Sequence, residues 1–212
     1  MMLPRLYPIL DTAVAARRGL DPVHIAGEWL AGGAGILQFR HKDVFSREVF
    51  NQMERIAAMC RDARVPFVVN DRADLAALLG AALHLGQEDL TPSMARRVIG
   101  PDAMIGWSTH NEAQLRAALA EPANYLALGP IFGTASKENP DPIVGLDELR
   151  RLRPLADRPL VAIGGITRAN ALDALAAGAD SVAVIGDLIP EDGDGGGRFQ
   201  EWQRLLARGL LR

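Results

Sequence analysis

The sequence predicts an α/β fold, a (β/α)8 TIM barrel formed by one domain over residues 1–212, and three observations carry that prediction. Short apolar runs alternate with helical patterns along the chain, eight strand–helix units fit within 212 residues, and the polar clusters of chemical interest fall just after apolar runs. Strands that are apolar throughout suit a parallel sheet covered by helices. Eight such units close into a barrel, and the loops at the strand C-termini then meet on one rim, where barrel enzymes place their active sites. An open doubly wound sheet with one unit miscounted is the alternative.

The first strand is expected over 6–10. Pro22 supplies a first-turn signal for a helix over 22–31, which Gly32 and Gly33 end. A second strand over 35–39 precedes Ser46, a cap for a helix reaching about Arg61, with Val49, Phe50, Met53, Ile56 and Ala57 at helical spacing. The third strand, 66–70, leads through Asp71 or Arg72 into a helix over 75–79. A very short fourth strand spans 82–85, and Thr91 caps the helix that ends near Ile99. Strand 103–107, helix 111–119 and strand 124–128 follow. The stretch 129–144 is rich in Gly, Pro, Ser and Asn, and a loop of that length in a compact domain is often functional. Helix 146–152, strand 159–163, a helix over 170–176 capped by Thr167 and strand 180–185 complete the eight units. The Gly/Asp-rich segment near 190–197 reads as a flexible surface linker before a last helix over 199–206.

Aromatic residues make up only 5% of the chain, so core filling falls mainly to Ala, Leu, Val and Ile. The formal net charge of -3 offers no footprint for nucleic acid, and a small anion would need a local cationic pocket. Cys60 is the only cysteine, which excludes an intrachain disulfide, and it lies on a helical pattern as a buried apolar residue. The four histidines lack zinc spacing. Neither a signal peptide nor a membrane span is expected, and the cytoplasm is the expected compartment.

Gln38, Arg40 and Lys42 leave the second strand on one side for as long as the backbone stays extended. A forked guanidinium and a compact ammonium together suit a polyphosphate, although a solvated strand end with chance ion pairs is the plain reading. Asp71 and Asp89 follow neighbouring strands; they suit either Mg2+ or helix and turn capping. Gly164-Gly165 and Ile185-Gly186 follow strands seven and eight, where barrels often hold a phosphate on backbone N–H groups. Lys137, in the loop after strand six, is placed to reach either anion site. His84 and His110 are candidate acid–base groups or structural hydrogen-bonders.

Seven strings at matching order and spacing carry a resemblance to the thiamine phosphate synthase family: LQFRHKD at 37–43, VVNDRADLA at 68–76, LHLGQEDL at 83–90, IGWSTHN at 105–111, GPIFGTASKENPDPIVGL at 129–146, VAIGGIT at 161–167 and AGADSVAVI at 177–185. With LYPILD at 6–11 they span nearly the whole chain. The resemblance implies a barrel that joins 4-amino-2-methyl-5-hydroxymethylpyrimidine diphosphate to 4-methyl-5-(2-phosphoethyl)thiazole, or its carboxylated form, with Mg2+ as cofactor and as a possible homodimer. It implies that Gln38, Arg40 and Lys42 contact the pyrimidine and its diphosphate, that Asn70 is another substrate-side hydrogen-bonder, and that Asp71 and Asp89 hold Mg2+. Ser108 and Lys137 would face the leaving pyrophosphate. Thr134, Ser136, Gly165, Ile185 and Gly186 would hold the thiazole phosphate.

Two departures from the family pattern stand out. Gly186-Asp187 replaces a serine followed by a small residue, so Asp187 is expected to turn away and cap the following turn. His41 replaces a common acidic residue, with little functional change expected. A thiazole tautomerase using a histidine such as His110, and a non-catalytic phosphate-binding barrel, are the rival readings. The retained cationic set and carboxylate pair favour the synthase, because a tautomerase has no diphosphate to hold.

Overall fold

The apolar runs form eight parallel strands that close into one barrel in chain order. The protein is described by a computed structural model covering residues 2–133, 141–191 and 193–208. The strands are β1 (Leu6–Asp11), β2 (Leu37–Arg40), β3 (Phe67–Asn70), β4 (Ala82–Leu85), β5 (Ile105–Thr109), β6 (Tyr125–Leu128), β7 (Leu160–Ala162) and β8 (Ser181–Val184). Pairing of Leu6 with Val182 and of Pro8 with Val184 joins β8 to β1, which rules out the open sheet. The helices are α1 (Thr12–Arg17), α2 (Pro22–Ala31), α3 (Arg47–Asp62), α4 (Ala73–Leu79), α5 (Pro92–Ile99), α6 (Glu112–Ala118), α7 (Gly145–Leu152), α8 (Ala171–Ala176) and α9 (Gly195–Arg208).

Successive strand residues point to opposite faces, so each strand feeds two cores. Tyr7, Ile9, Val68, Tyr125, Val161 and Ala183 fill the barrel interior. Leu10, Phe39, Leu83 and Leu126 face outward and pack under the helices with Trp29, Phe199 and Trp202. Trp29 of α2 and Phe199 of α9 stack with ring centroids 6.3 Å apart. Cys60 lies fully buried in α3, and burial pushes its thiol up to about 12, so it is packing rather than a reactive group. Among the described residues no helix is long and apolar enough to cross a membrane.

Ser46 and Thr91 cap α3 and α5 where the sequence places them, accepting the N–H groups of Val49 and Met94. Asn111, expected as the first residue of its helix, is the cap of α6 and accepts the Gln114 N–H. One element was not expected, and three expectations need correction. The six-residue α1 escapes a periodicity search because it is too short to show a repeat; Asp11 caps it by accepting the Val14 N–H at 2.9 Å. Thr167 does not cap α8; its own N–H donates to Asn170 Oδ1 at 2.8 Å. Gly195, Gly196 and Gly197 form the first turn of α9 rather than a linker, with the Gly197 N–H held by Asp194 Oδ1 at 2.7 Å. An added Cβ at Gly195 would stand 2.6 Å from Glu28 Oε2, so the absent side chain lets α9 close on α2. Finally, β5 runs two residues further than expected, which makes Ser108 and Thr109 strand residues rather than loop residues.

At the rim carrying the strand N-termini, Arg96, Arg153 and Arg158 donate to the carbonyls of Pro101, Gly178 and Ala123 at 2.8–2.9 Å. These guanidiniums tie loops together and leave chemistry to the opposite rim.

Candidate active site

The C-terminal ends of β1 to β5 build the cationic half of the rim. Asp11 and Arg40 are register partners on β1 and β2 and form an ion pair. Asp11 is only 3% exposed, so its carboxylate fixes the direction in which Arg40 leaves the barrel wall. Sequence reasoning missed Asp11; the signal was an acidic residue ending an otherwise apolar strand. Lys42 lies beyond the end of β2 and pairs with Asp71 beyond β3. His41 is held apart from them by a 2.7 Å bond to Thr12 Oγ1 and an edge contact on Phe45.

Asp71 occupies the left-handed region at φ 64, and α4 begins without a side-chain cap. Its carboxylate therefore serves something other than helix capping. Asp89 accepts the Gly86 N–H at 2.7 Å, which folds the loop after β4 back on itself. Trp107 Nε1 donates to the Gly86 carbonyl at 3.1 Å and fixes that loop against β5. Burial, together with the neighbouring Asp71 carboxylate, holds Asp89 above the usual carboxylate range, while the Gly86 N–H and Lys42 oppose the shift. Two mutually repelling carboxylates invite a cation between them. Among the described residues no cluster of three or more His, Cys, Asp or Glu side chains is suited to a metal. Asp71 and Asp89 are two hard oxygen donors, a set that would leave most positions of an Mg2+ ion to other oxygens.

Beneath this rim runs a buried hydrogen-bonded chain that periodicity does not reveal. Gln38 Nε2 donates to Tyr7 Oη at 3.0 Å, and the Tyr7 and Tyr125 hydroxyls lie 2.6 Å apart. Tyr125 Oη meets His84 Nδ1 at 3.0 Å, and His84 Nε2 meets Ser108 Oγ at 2.9 Å. Gly106 makes the chain possible, because an added Cβ would sit 2.0 Å from Tyr125 Cζ. One arrangement that satisfies every member has Tyr7 donating to Tyr125 and Tyr125 to His84 Nδ1; in it neutral His84 donates from Nε2 to Ser108, and the Ser108 proton is left for a partner at the rim. Asn70, on β3 beside His84, has a buried Nδ2 with no hydrogen-bond partner among the described residues. A buried donor left open at a rim suits a ligand acceptor.

Burial lowers His84 to about 4 from 6.5, with Asp89 opposing and Lys42 reinforcing the shift. The unfolded chain therefore takes up this proton first as the medium is acidified. His84 costs the fold nothing above pH 6.5, and stability falls by roughly 3 kcal/mol in all as pH drops from 6.5 to 4. A titration of the imidazole by NMR is expected to show a midpoint near 4; a midpoint near 6.5 would contradict the buried, neutral assignment.

The loops after β7 and β8 form the other half of the rim. Gly164 (φ 94) and Gly165 (φ 64) adopt conformations that favour glycine. Added Cβ atoms would stand 2.5 Å from Pro130 Cα and 2.4 Å from the Gly133 carbonyl, so these glycines first of all admit the loop after β6. Phe132 N–H donates to the Gly164 carbonyl at 3.0 Å and continues the pairing of β6 with β7 beyond the strands. Ile185 accepts the Leu188 N–H at 3.2 Å in the short 3-10 turn Gly186–Leu188. An added Cβ at Gly186 would meet nothing within 4 Å, so packing does not demand glycine there. Asp187 does not cap this turn; it pairs with Arg168 Nε at 3.0 Å. His110 Nδ1 lies 2.6 Å from the Gly129 carbonyl, which occupies that nitrogen as a donor. Thr134, Ser136 and Lys137 lie outside the described residues.

A closed parallel barrel with this polar rim at its strand C-termini defines the class: a (β/α)8-barrel enzyme. A family model described as thiamine monophosphate synthase matches residues 6–188. The thiamine-phosphate synthase of Koribacter versatilis is 48% identical over 195 residues, covering 89% of this chain and 90% of its own. That of Methanoculleus marisnigri is 42% identical over 187 residues, with 88% of each chain covered. The solved structure of a thiamine phosphate pyrophosphorylase from Pyrococcus furiosus matches with a TM-score of 0.85 at 30% identity, covering 97% of this chain and 96% of that one. The chain belongs to the thiamine monophosphate synthase family, enzymes of thiamine biosynthesis.

Proposed function

We propose that this chain condenses 4-amino-2-methyl-5-hydroxymethylpyrimidine diphosphate with 4-methyl-5-(2-phosphoethyl)thiazole, or its carboxylated form, giving thiamine phosphate and pyrophosphate, with CO2 released as well from the carboxylated form. The observation that carries the reading is the assembly of Arg40, Lys42, Asp71 and Asp89 on the consecutive strand ends of β2, β3 and β4. Arg40 and Lys42 grip the diphosphate, and Asp11 holds Arg40 in position. Asn70 Nδ2 and the Ser108 hydroxyl supply donors to the pyrimidine substrate. Asp71 and Asp89 hold Mg2+, which when bound stabilises charge on diphosphate oxygens.

The bond between the pyrimidine methylene carbon and the diphosphate oxygen breaks, and its electron pair leaves with pyrophosphate. The electron-rich aminopyrimidine stabilises the cation, and the thiazole nitrogen lone pair closes the new C–N bond. No protein nucleophile is needed. Residues of this chain orient the partners, exclude water and stabilise the leaving charge. Backbone N–H groups at Gly165, Ile185 and Gly186 receive the thiazole monophosphate, with Thr134, Ser136 and Lys137 contributing from the loop after β6. Family resemblance supports a homodimer, and the cytoplasm remains the expected compartment. Incubation with both substrates and Mg2+ is expected to release pyrophosphate and thiamine phosphate in equal amounts. Pyrophosphate without thiazole phosphate would mean hydrolysis, and no pyrophosphate at all would remove the reading.

A further inference from the structure

Asp187 presents a physical problem that its surroundings resolve. It belongs to the turn that carries Gly186, and it lines a cavity of about 490 Å3 together with Arg18, Thr167, Gly186, Arg198 and a second carboxylate, Glu191. Thr167 comes from the loop after β7 and Gly186 from the loop after β8. These are the loops whose backbone donors we assign to a monophosphate. A bare carboxylate there would repel the phosphate and cancel the attraction of those donors.

The structure places a guanidinium against it. Arg168, one residue past Thr167, donates from Nε to Asp187 Oδ2 at 3.0 Å and pairs through Nη1 with Glu201 of α9. Arg198 donates to the Asp187 carbonyl at 3.0 Å and bridges to Glu201 at 3.3 Å. Arg18 donates to the Gly186 carbonyl at 2.8 Å. In a trans peptide the carbonyl and the following N–H point in opposite directions. With the Ile185 carbonyl held by the Leu188 N–H and the Gly186 carbonyl held by Arg18, the N–H groups of Gly186 and Asp187 are both aimed. Among the described residues neither of these two N–H groups makes a hydrogen bond.

We infer that Arg168 is a positioning residue for the thiazole monophosphate: by pairing with Asp187 it neutralises a carboxylate at the phosphate cradle and ties the loop after β7 to the loop after β8. The inference rests on the condensation reading above and adds a residue selective for the phosphorylated form of one substrate. Asp187 lines the cavity and is 18% exposed, while Arg168, 35% exposed, braces it from outside the lining. Arg168 touches no reacting atom, so its effect belongs in affinity and not in the chemical step.

The test compares wild type, Arg168→Gln, Arg168→Lys and the double variant Arg168→Gln/Asp187→Ala, with calorimetric Kd values for thiazole phosphate and for the dephosphorylated thiazole alcohol. Arg168→Gln is expected to weaken thiazole phosphate about tenfold, with the alcohol unchanged, since Asp187 then keeps only Arg198 Nη1 at 4.0 Å and an under-compensated charge acts mainly on another charge. Removal of the carboxylate in the double variant and retention of the cation in Arg168→Lys each restore most of that loss. Steady-state kinetics should show the same rise in KM for thiazole phosphate, with kcat and the KM for the diphosphate within about twofold. An unchanged Kd in Arg168→Gln, an equal loss for the alcohol, or a double variant no better than Arg168→Gln each overturns the inference. A wild type that binds thiazole phosphate without forming pyrophosphate overturns the condensation reading alone, because the Kd comparison stands without turnover.

Discussion

Replacing Asp89 with Asn is expected to lower kcat/KM by roughly 100- to 1000-fold while the barrel remains folded, because a hard ligand of the proposed Mg2+ supplies several kcal/mol of transition-state charge stabilisation. Asn is the informative substitution. Its Oδ1 still accepts the Gly86 N–H that shapes the loop after β4, so the backbone bond survives and the charge is lost. Alanine would also remove that acceptor, at a cost of about 1 kcal/mol, and would confuse loop collapse with loss of chemistry. Mg2+ binding measured by calorimetry in the presence of inorganic pyrophosphate should weaken in parallel, and the Mg2+ concentration needed for half-maximal turnover should rise. Asp89→Asn with wild-type kcat/KM and wild-type Mg2+ dependence would place the metal elsewhere. The corresponding Asp71→Asn variant should also release Lys42, since Asp71 is the carboxylate that holds it.

Asp11→Ala is the second large effect, and it strikes stability and activity together. The side chain lies 4% exposed, pairs with Arg40 and caps α1 through the Val14 N–H. Losing the cap costs about 1 kcal/mol, and leaving the poorly exposed Arg40 guanidinium without its partner raises the total to roughly 3–5 kcal/mol. At about 2–4 °C per kcal/mol for a chain of this size, Tm should fall by about 10 °C. Arg40 would also lose the partner that aims it, so the KM for the diphosphate substrate should rise about tenfold. Asp11→Asn keeps the capping oxygen and gives up the charge. It should recover about 1 kcal/mol of stability and little of the substrate affinity. Calorimetric melting and steady-state kinetics on both variants decide the matter; wild-type Tm and KM in Asp11→Ala would show that the pair organises neither fold nor rim.

Much of the barrel was legible in one dimension because strand and helix periods are local properties. The eight apolar runs correspond to the eight strands, and Ser46, Thr91 and Asn111 mark helix starts through a hydroxyl or amide that meets an N–H three residues away. Mistakes occurred where short range and long range compete. Three consecutive glycines read as a linker, yet Gly195 to Gly197 open α9: Gly195 must lack a side chain where Glu28 of α2 approaches, and Gly197 where Asp194 folds over the first turn. The capping residue at α1 was hidden inside a strand, since Asp11 both ends β1 and starts the helix.

The rim shows the same division. Arg40, Lys42, Asp71 and Asp89 were recognisable from residue type and from their place after strands, because parallel strands with helical crossovers send all those ends to one side of the sheet. Pairings among them belong to the closed barrel. Arg40 meets Asp11 because β1 and β2 share a register, and Gln38 communicates with Ser108 through Tyr7, Tyr125 and His84, contributed by strands from around the barrel. Likewise Asp187 looks like a liability for a phosphate site in the linear chain and is neutralised in space by Arg168, 19 residues earlier. By itself the sequence determined the architecture and placed Arg40, Lys42, Asp71 and Asp89 on one rim, though not Asp11, since strand direction follows from local periodicity. Only the tertiary structure decided which charges neutralise one another and which donors remain open, because hydrogen bonds and ion pairs depend on distances that closure of the sheet creates.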